Sequence, residues 1–250
     1  MGAAALLLAA AAFAFPNEPG THLLATGEIA NPIALRSALC TGAQRVSVRF
    51  ERTQSEGPKT TGRHTPQNFA QTAGVVFQIV GGKVGPDTTC MLAEESLLSG
   101  TTFVPVSRPR PNARCSTAEY PQFQADKGRP VVGCWLIAES TAGIRIALIE
   151  FSRHLTQALA SLVVIDGPQR KYVDYPATFT GPGDDLWRAD DGGNIHAEGF
   201  EVIFLLKRGT AHLLAIDWSG AEGSALSLHI AEGAGQFTQI VSDSWYRSPL

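Results

Sequence analysis

The chain of 250 residues carries 20 Lys and Arg against 23 Asp and Glu, a formal charge of −3, and only 17% of its residues are charged, against about 25% in an average domain. That balance removes any electrostatic case for nucleic-acid binding. Its 25 glycines and 15 prolines separate short apolar runs, the texture of a β-rich protein long enough to bury one sizeable core.

From Ala3 to Phe15 no residue is polar. The run is too short for a bilayer, which takes about 20 apolar residues. It fits the apolar region of a secretory signal peptide, with Ala12-Phe13-Ala14 as a small-x-small cleavage pattern and Pro16, Asn17 and Pro19 breaking the segment. No Lys or Arg precedes the run. A helix packed on a domain keeps a polar face, which this stretch lacks. Residues 1–14 are therefore expected to be a leader, and 15–250 a single exported β-rich domain, periplasmic or secreted. No later stretch is apolar for long enough to span a membrane.

The cysteines agree with export. Cys40, Cys90, Cys115 and Cys134 form no CxxC pair and have no metal-like spacing to a histidine, so an even count reads as two disulfides. Loop closure favours Cys40–Cys90 with Cys115–Cys134.

In chain order, residues 31–42, NPIALRSALCTG, read as a helix capped by Asn31, opened by Pro32 and ended by Gly42. Residues 45–52 alternate as a strand. The polar stretch 53–73 reads as a long mobile surface loop, and 74–82 as a strand. CMLAEESLL (90–98) reads as a short helix capped by Thr88 or Thr89. Residues 105–130, with five prolines, form a second irregular stretch pinned at Cys115.

From residue 131 the texture changes to eight apolar runs separated by short Gly-rich breaks such as STAG, KRGT and GAEG. These are hairpin-sized connections, so neighbouring strands pair antiparallel. LASLVVID and EVIFLLK are apolar on both faces and must be covered on both. The expectation is a mainly β fold, an antiparallel up-and-down meander closed as a barrel or strongly curved sheet, with one or two short helices in the N-terminal half.

The motifs carry little chemistry. WRADDGGNIHAE (187–198) aligns Asp191, Gly192 and Glu198 with a calcium loop, but Trp187 and Ala189 stand where the first oxygen ligands belong. His196-Ala197-Glu198 has no PCxxC to complete a zinc deaminase site. The stretch reads as a hairpin turn through Asp191–Asn194. No GxSxG, HExxH, GxGxxG or P-loop occurs, so no cofactor, metal or catalytic residue is assigned. A dispersed triad would have to use His154, His212 or His229. Trp135, Trp187, Trp218, Trp245 and Tyr172 are candidates to line an apolar ligand cavity. Arg108, Arg110 and Arg114 form the one basic cluster, suited to an anionic partner. The sequence thus reads as a non-catalytic exported protein that binds a small apolar ligand or another cell-envelope protein. A secreted hydrolase with an Asp/Glu or Ser/His site and a structural or assembly module are the alternatives.

Overall fold

The computed structural model describes residues 11–179, 187 and 195–247. The fold is mainly β and antiparallel, with few short helices. The first strands are β1 (Ala11–Pro16), β2 (His22–Ala25), β3 (Leu35–Cys40), β4 (Gln44–Gln54), β5 (Gly74–Val80) and β6 (Cys90–Glu94). They close into a barrel in the order β1-β2-β5-β4-β3-β6. Ala14, Leu23, Ala38, Phe77 and Leu92 fill its interior, and closure leaves no free edge. β1 closes it by pairing its first four residues with β6, Ala11↔Ala93 to Ala14↔Cys90, and its last two with β2. The turn between β1 and β2 requires glycine at Gly20. Its φ is +69°, and a Cβ there would fall 1.8 Å from the Val84 carbonyl oxygen.

After the barrel come α1 (Glu95–Leu98), β7 (Thr102–Phe103) and α2 (Tyr120–Lys127). A first hairpin series follows: β8 (Val131–Glu139), β9 (Arg145–His154), β10 (Gln157–Asp166) and β11 (Gln169–Thr178). The second series is β12 (Phe200–Arg208), β13 (Ala211–Ser219), β14 (Gly223–Ala231), the two-residue β15 (Gly235–Gln236) and β16 (Thr238–Tyr246). These strands form two five-stranded sheets, β15-β11-β10-β9-β8 and β16-β14-β13-β12-β7. β15 leaves the second series, pairs parallel with β11, and the chain returns to the second sheet as β16.

The layers stack in a fixed order. Helix α2 covers the outer face of the first sheet, where Phe123 meets Ile149, Phe151 and Val163. The inner face packs Leu148, Leu162 and Val164 on Leu205, Leu214 and Ile216 of the second sheet. The other face of the second sheet packs Phe204, Leu213 and Leu228 on Phe13, Phe15, Leu39 and Met91 of the barrel's outer wall. Each fully buried Leu or Phe contributes about 1.5–3 kcal/mol. Cys40–Cys90 joins directly opposed residues of β3 and β6, and Cys115–Cys134 ties the segment before α2 to β8. Each bridge is worth about 2–4 kcal/mol. Among the described residues no helix is long and apolar enough to cross a membrane.

Several sequence expectations change. The closed barrel is built from residues 11–94, and the 131–250 meander is split into two facing sheets. The both-sided strands are covered by neighbouring layers instead of by closure. The helix expected over 31–42 is one 3₁₀ turn, Pro32–Ala34, followed by β3. Five of six β3 residues are buried, a two-faced burial that a strand between β4 and β6 provides and a surface helix does not. The helix expected over 90–98 is β6 followed by four helical residues, because Cys90 to Ala93 pair on both sides, with β1 and β3. The 53–73 stretch is pinned instead of mobile. Asn68 and Phe69 are buried, and the Gln54 side-chain amide donates to Phe69 O and Thr72 O at 2.7 and 2.6 Å.

The last residues of the expected leader, Ala11–Ala14, lie inside the barrel wall. Phe13 is 1% exposed, and losing such a side chain costs about 3–5 kcal/mol of a total stability of about 5–15 kcal/mol. A chain starting at Phe15 is expected to lose cooperative unfolding of the barrel, whereas one starting at Ala11 keeps it. Melting followed by circular dichroism compares the two; coincident curves would show that β1 is dispensable.

Candidate functional site

The aromatic side chains of the second series are set by strand alternation. Phe200 and Trp218 are directly opposed across β12 and β13, and their rings stack at 5.2 Å and 11°. Tyr175, on β11 of the facing sheet, meets Phe200 and Trp218 edge-on at 5.4 and 5.0 Å. Offset stacking and edge contacts of this kind add about 0.5–1.5 kcal/mol per pair beyond burial. Trp187 joins the group by donating its indole N–H to Tyr175 O at 2.8 Å.

Beside this cluster, at the open edge of the sandwich, lies a hollow of about 540 Å³. Tyr175, Trp218 and Phe237 form its aromatic wall, Ala225 and Leu226 its apolar side, and Ser227, His229, Gln236 and Gln239 its polar side. β15 positions the far wall: Phe237 N donates to Tyr172 O at 2.8 Å, and Gln236 donates its amide to Asp174 Oδ2 at 2.8 Å. Asp174 is held in turn by Lys127 at 2.7 Å and by the buried Ser161 hydroxyl at 2.6 Å. The carboxylate is therefore a structural anchor between α2, β10 and β15.

Ser227 and His229 point the same way from β14, and Ser227 Oγ lies 2.8 Å from His229 Nε2. Burial alone pushes the His229 imidazole down to about 4. It is neutral at physiological pH and able to accept the hydroxyl proton in a hydrogen bond, but so weakly basic an imidazole makes a poor general base. Burial also raises the Tyr175 phenol, whose oxygen has no hydrogen-bond partner among the described residues. A mixed aromatic and polar hollow of this size can hold a small ligand that has an apolar face and a polar edge.

The five aromatic candidates do not converge. Trp218 lines the hollow and Trp187 supports its wall. Tyr172 lies on the outer face of the first sheet, where its hydroxyl donates to Asp126 at 2.6 Å and Lys127 sits over its ring. Trp245 is 2% exposed in the core against the barrel. Trp135 joins the basic cluster: Arg114 stacks over its ring at 4.4 Å, and Arg108, Arg110 and Trp135 line a smaller hollow of about 270 Å³. Arg108 donates to Glu198 O at 2.9 Å. The Asp191–Asn194 turn lies outside the described residues. Among the described residues no group of three His, Cys, Asp or Glu could hold a metal ion.

Phe237 and the Ser227–His229 pair were not selected from sequence. The alternation of SALSLHIAE puts Ser227 and His229 on one face of a strand, opposite Leu226, Leu228 and Ile230. β15 and the first sheet bury the Ser227–His229 face, leaving His229 only 4% exposed.

His229 and His212 both lie near 4, and burial lowers His64 as well. The unfolded chain binds protons at these sites near 6.5, while the folded protein binds them only at lower pH. Stability is therefore full above 6.5 and falls as pH drops toward 4, with a limiting slope of about 1.4 kcal/mol per pH unit for each proton. Urea unfolding across that window should show a shallower slope in His229→Gln than in wild type. Equal slopes would mean His229 protonates as easily folded as unfolded. Comparison with protein-family models, with curated proteins and with solved structures returns no match.

Proposed function

We propose that this chain is an exported, non-catalytic β protein that carries a small, largely apolar ligand in the hollow between β11, β14 and β16. The observation that carries this reading is the aromatic wall of Tyr175, Trp218 and Phe237 facing Ser227, His229 and Gln236 across about 540 Å³. Apolar surface supplies the affinity of such a site and a few fixed polar groups supply orientation. Two disulfides fit an oxidising compartment and support export. A cell-envelope protein as partner is the competing occupant of the same edge.

The Ser227–His229 contact favours one second reading, a hydrolase using Ser227 as nucleophile. It requires a carboxylate to orient the imidazole, and no charge acts on His229 strongly enough to compete with its burial. Reaction of Ser227 with a fluorophosphonate would support that reading over simple binding.

The test uses the fluorescent amine N-phenyl-1-naphthylamine as a neutral apolar probe. One saturable site is expected in the disulfide-intact protein. Ala225→Trp fills the hollow and should weaken binding at least about tenfold, which is about 1.4 kcal/mol. Phe237→Ala, which removes a wall, should weaken it as well. Wild-type affinity in both variants would overturn the reading.

A further inference from the structure

A second site lies where the turns β8–β9, β10–β11 and β12–β13 converge. Four titratable side chains form a chain there. Lys171, 1% exposed, donates to Thr210 O, and its Nζ lies 2.7 Å from His212 Nδ1. An ammonium has only donors, so Nδ1 is the acceptor and the ring proton sits on Nε2. That Nε2 faces Asp166 Oδ2 at 3.3 Å, and the same oxygen receives Lys207 Nζ at 2.5 Å. His212 is fully buried, held neutral first by that burial and then by Lys171. The charges that act on Lys171, His212 and Asp166 all come from within the set.

The charge count does not close. Two ammonium groups face one carboxylate and a neutral imidazole, leaving one positive charge in excess; Lys171 and His212 are sealed, whereas Lys207 and Asp166 are partly open to the hollow. Such a charge is costly unless an anion balances it. Beside it opens a hollow of about 460 Å³ with Asp166 and Lys207 on one wall. Phe103, Val104 and Ile144 form an apolar wall, and Ser140 and Thr141 stand at the β8–β9 turn. Lys207 is the cation that can turn toward this space, because its side chain is 37% exposed while Lys171 is sealed.

We propose that this hollow binds a monoanion with a short apolar body, a medium-chain carboxylate, with its head on Lys207 and its chain against Phe103, Val104 and Ile144. A single excess positive charge matches the one negative charge of a carboxylate better than a phosphate monoester, which carries about −1.5 to −2 at neutral pH. The site is separate from the hollow of the proposed carrier function and does not depend on it.

The probe is octanoate, titrated calorimetrically into the disulfide-intact protein, with octanol as the uncharged control. One saturable octanoate site is expected, with octanol and Lys207→Met each weaker by about tenfold or more, and Lys207→Arg restoring most of the affinity. Thr141→Trp blocks the space without touching the charges and should abolish binding, which keeps the test decisive if Lys207→Met fails to fold. Ala225→Trp should leave octanoate binding unchanged. The proposal is overturned by the absence of a saturable site, by octanol binding as well as octanoate, by full affinity in Thr141→Trp, or by loss in Ala225→Trp. That last result would instead assign octanoate to the aromatic hollow. Failure of N-phenyl-1-naphthylamine with octanoate binding intact would count only against the carrier reading.

Discussion

The sheet β16-β14-β13-β12-β7 is apolar on both faces, and the rest of the molecule is arranged to cover it. Ile203, Leu213, Ala215 and Leu228 look toward the barrel, while Leu205, Leu214 and Ile216 look toward the other sheet. A sheet with one wet face would need only one partner. This one needs two, so the chain stacks a closed barrel on one side and a second sheet on the other. The hollows fall at the margins of that stack. One opens where β15 bridges the sheets, the other where their turns converge. Both hollows thus sit at seams between layers, where backbone is fixed by neighbouring sheets but side chains leave space.

Burial of polar groups follows the same geometry. Asp217 is 3% exposed on the barrel side of β13 and is matched by Arg247 at 3.4 Å and the Thr89 hydroxyl at 3.3 Å. Arg247 also donates to Thr89 at 3.0 Å and stacks on Trp245 at 4.6 Å. The network ties the segment before β6 to the end of β16, beside the His64–Tyr246 hydrogen bonds that cross the same interface at 2.9 and 3.1 Å. Thr89, expected to cap a helix, serves this bond. Glu201, directly opposite Asp217, is pushed up by burial and by that neighbouring carboxylate.

What was legible in the sequence was whatever depends on neighbours in the chain. The hairpins after residue 131 follow from Gly-rich breaks, and both disulfide pairings follow from loop closure. The double-sided character of EVIFLLK was also visible, but not what covers it. β4 and β5 were expected as strands, but β1, β2, β3 and β6 were missed because none exceeds six residues, and closure depends on β1 meeting β6 far along the chain. Leu35–Cys40 has a composition that suits a helix, and only its two flanking strands make it extended. The candidate site was half legible. Trp218 was selected for its type, while Tyr175 and Phe237 reach it from another sheet and from the β15 crossing. Neither that crossing nor the Lys171–His212–Asp166 chain leaves a local pattern, since both arise from residues brought together by the sandwich.

Trp245 sets an order on the making of this molecule. It meets Phe15 edge-on at 5.6 Å and sits in the same core as Phe13, Leu39 and Met91. The barrel strands are therefore synthesised well before the layer that shields their outer wall, and the two hairpin series must follow before that wall is sealed. Throughout translation the half-finished protein displays a greasy flank with no partner of its own. The nascent chain is at its most vulnerable to aggregation in this interval, and any helper it recruits must let go when β16 docks.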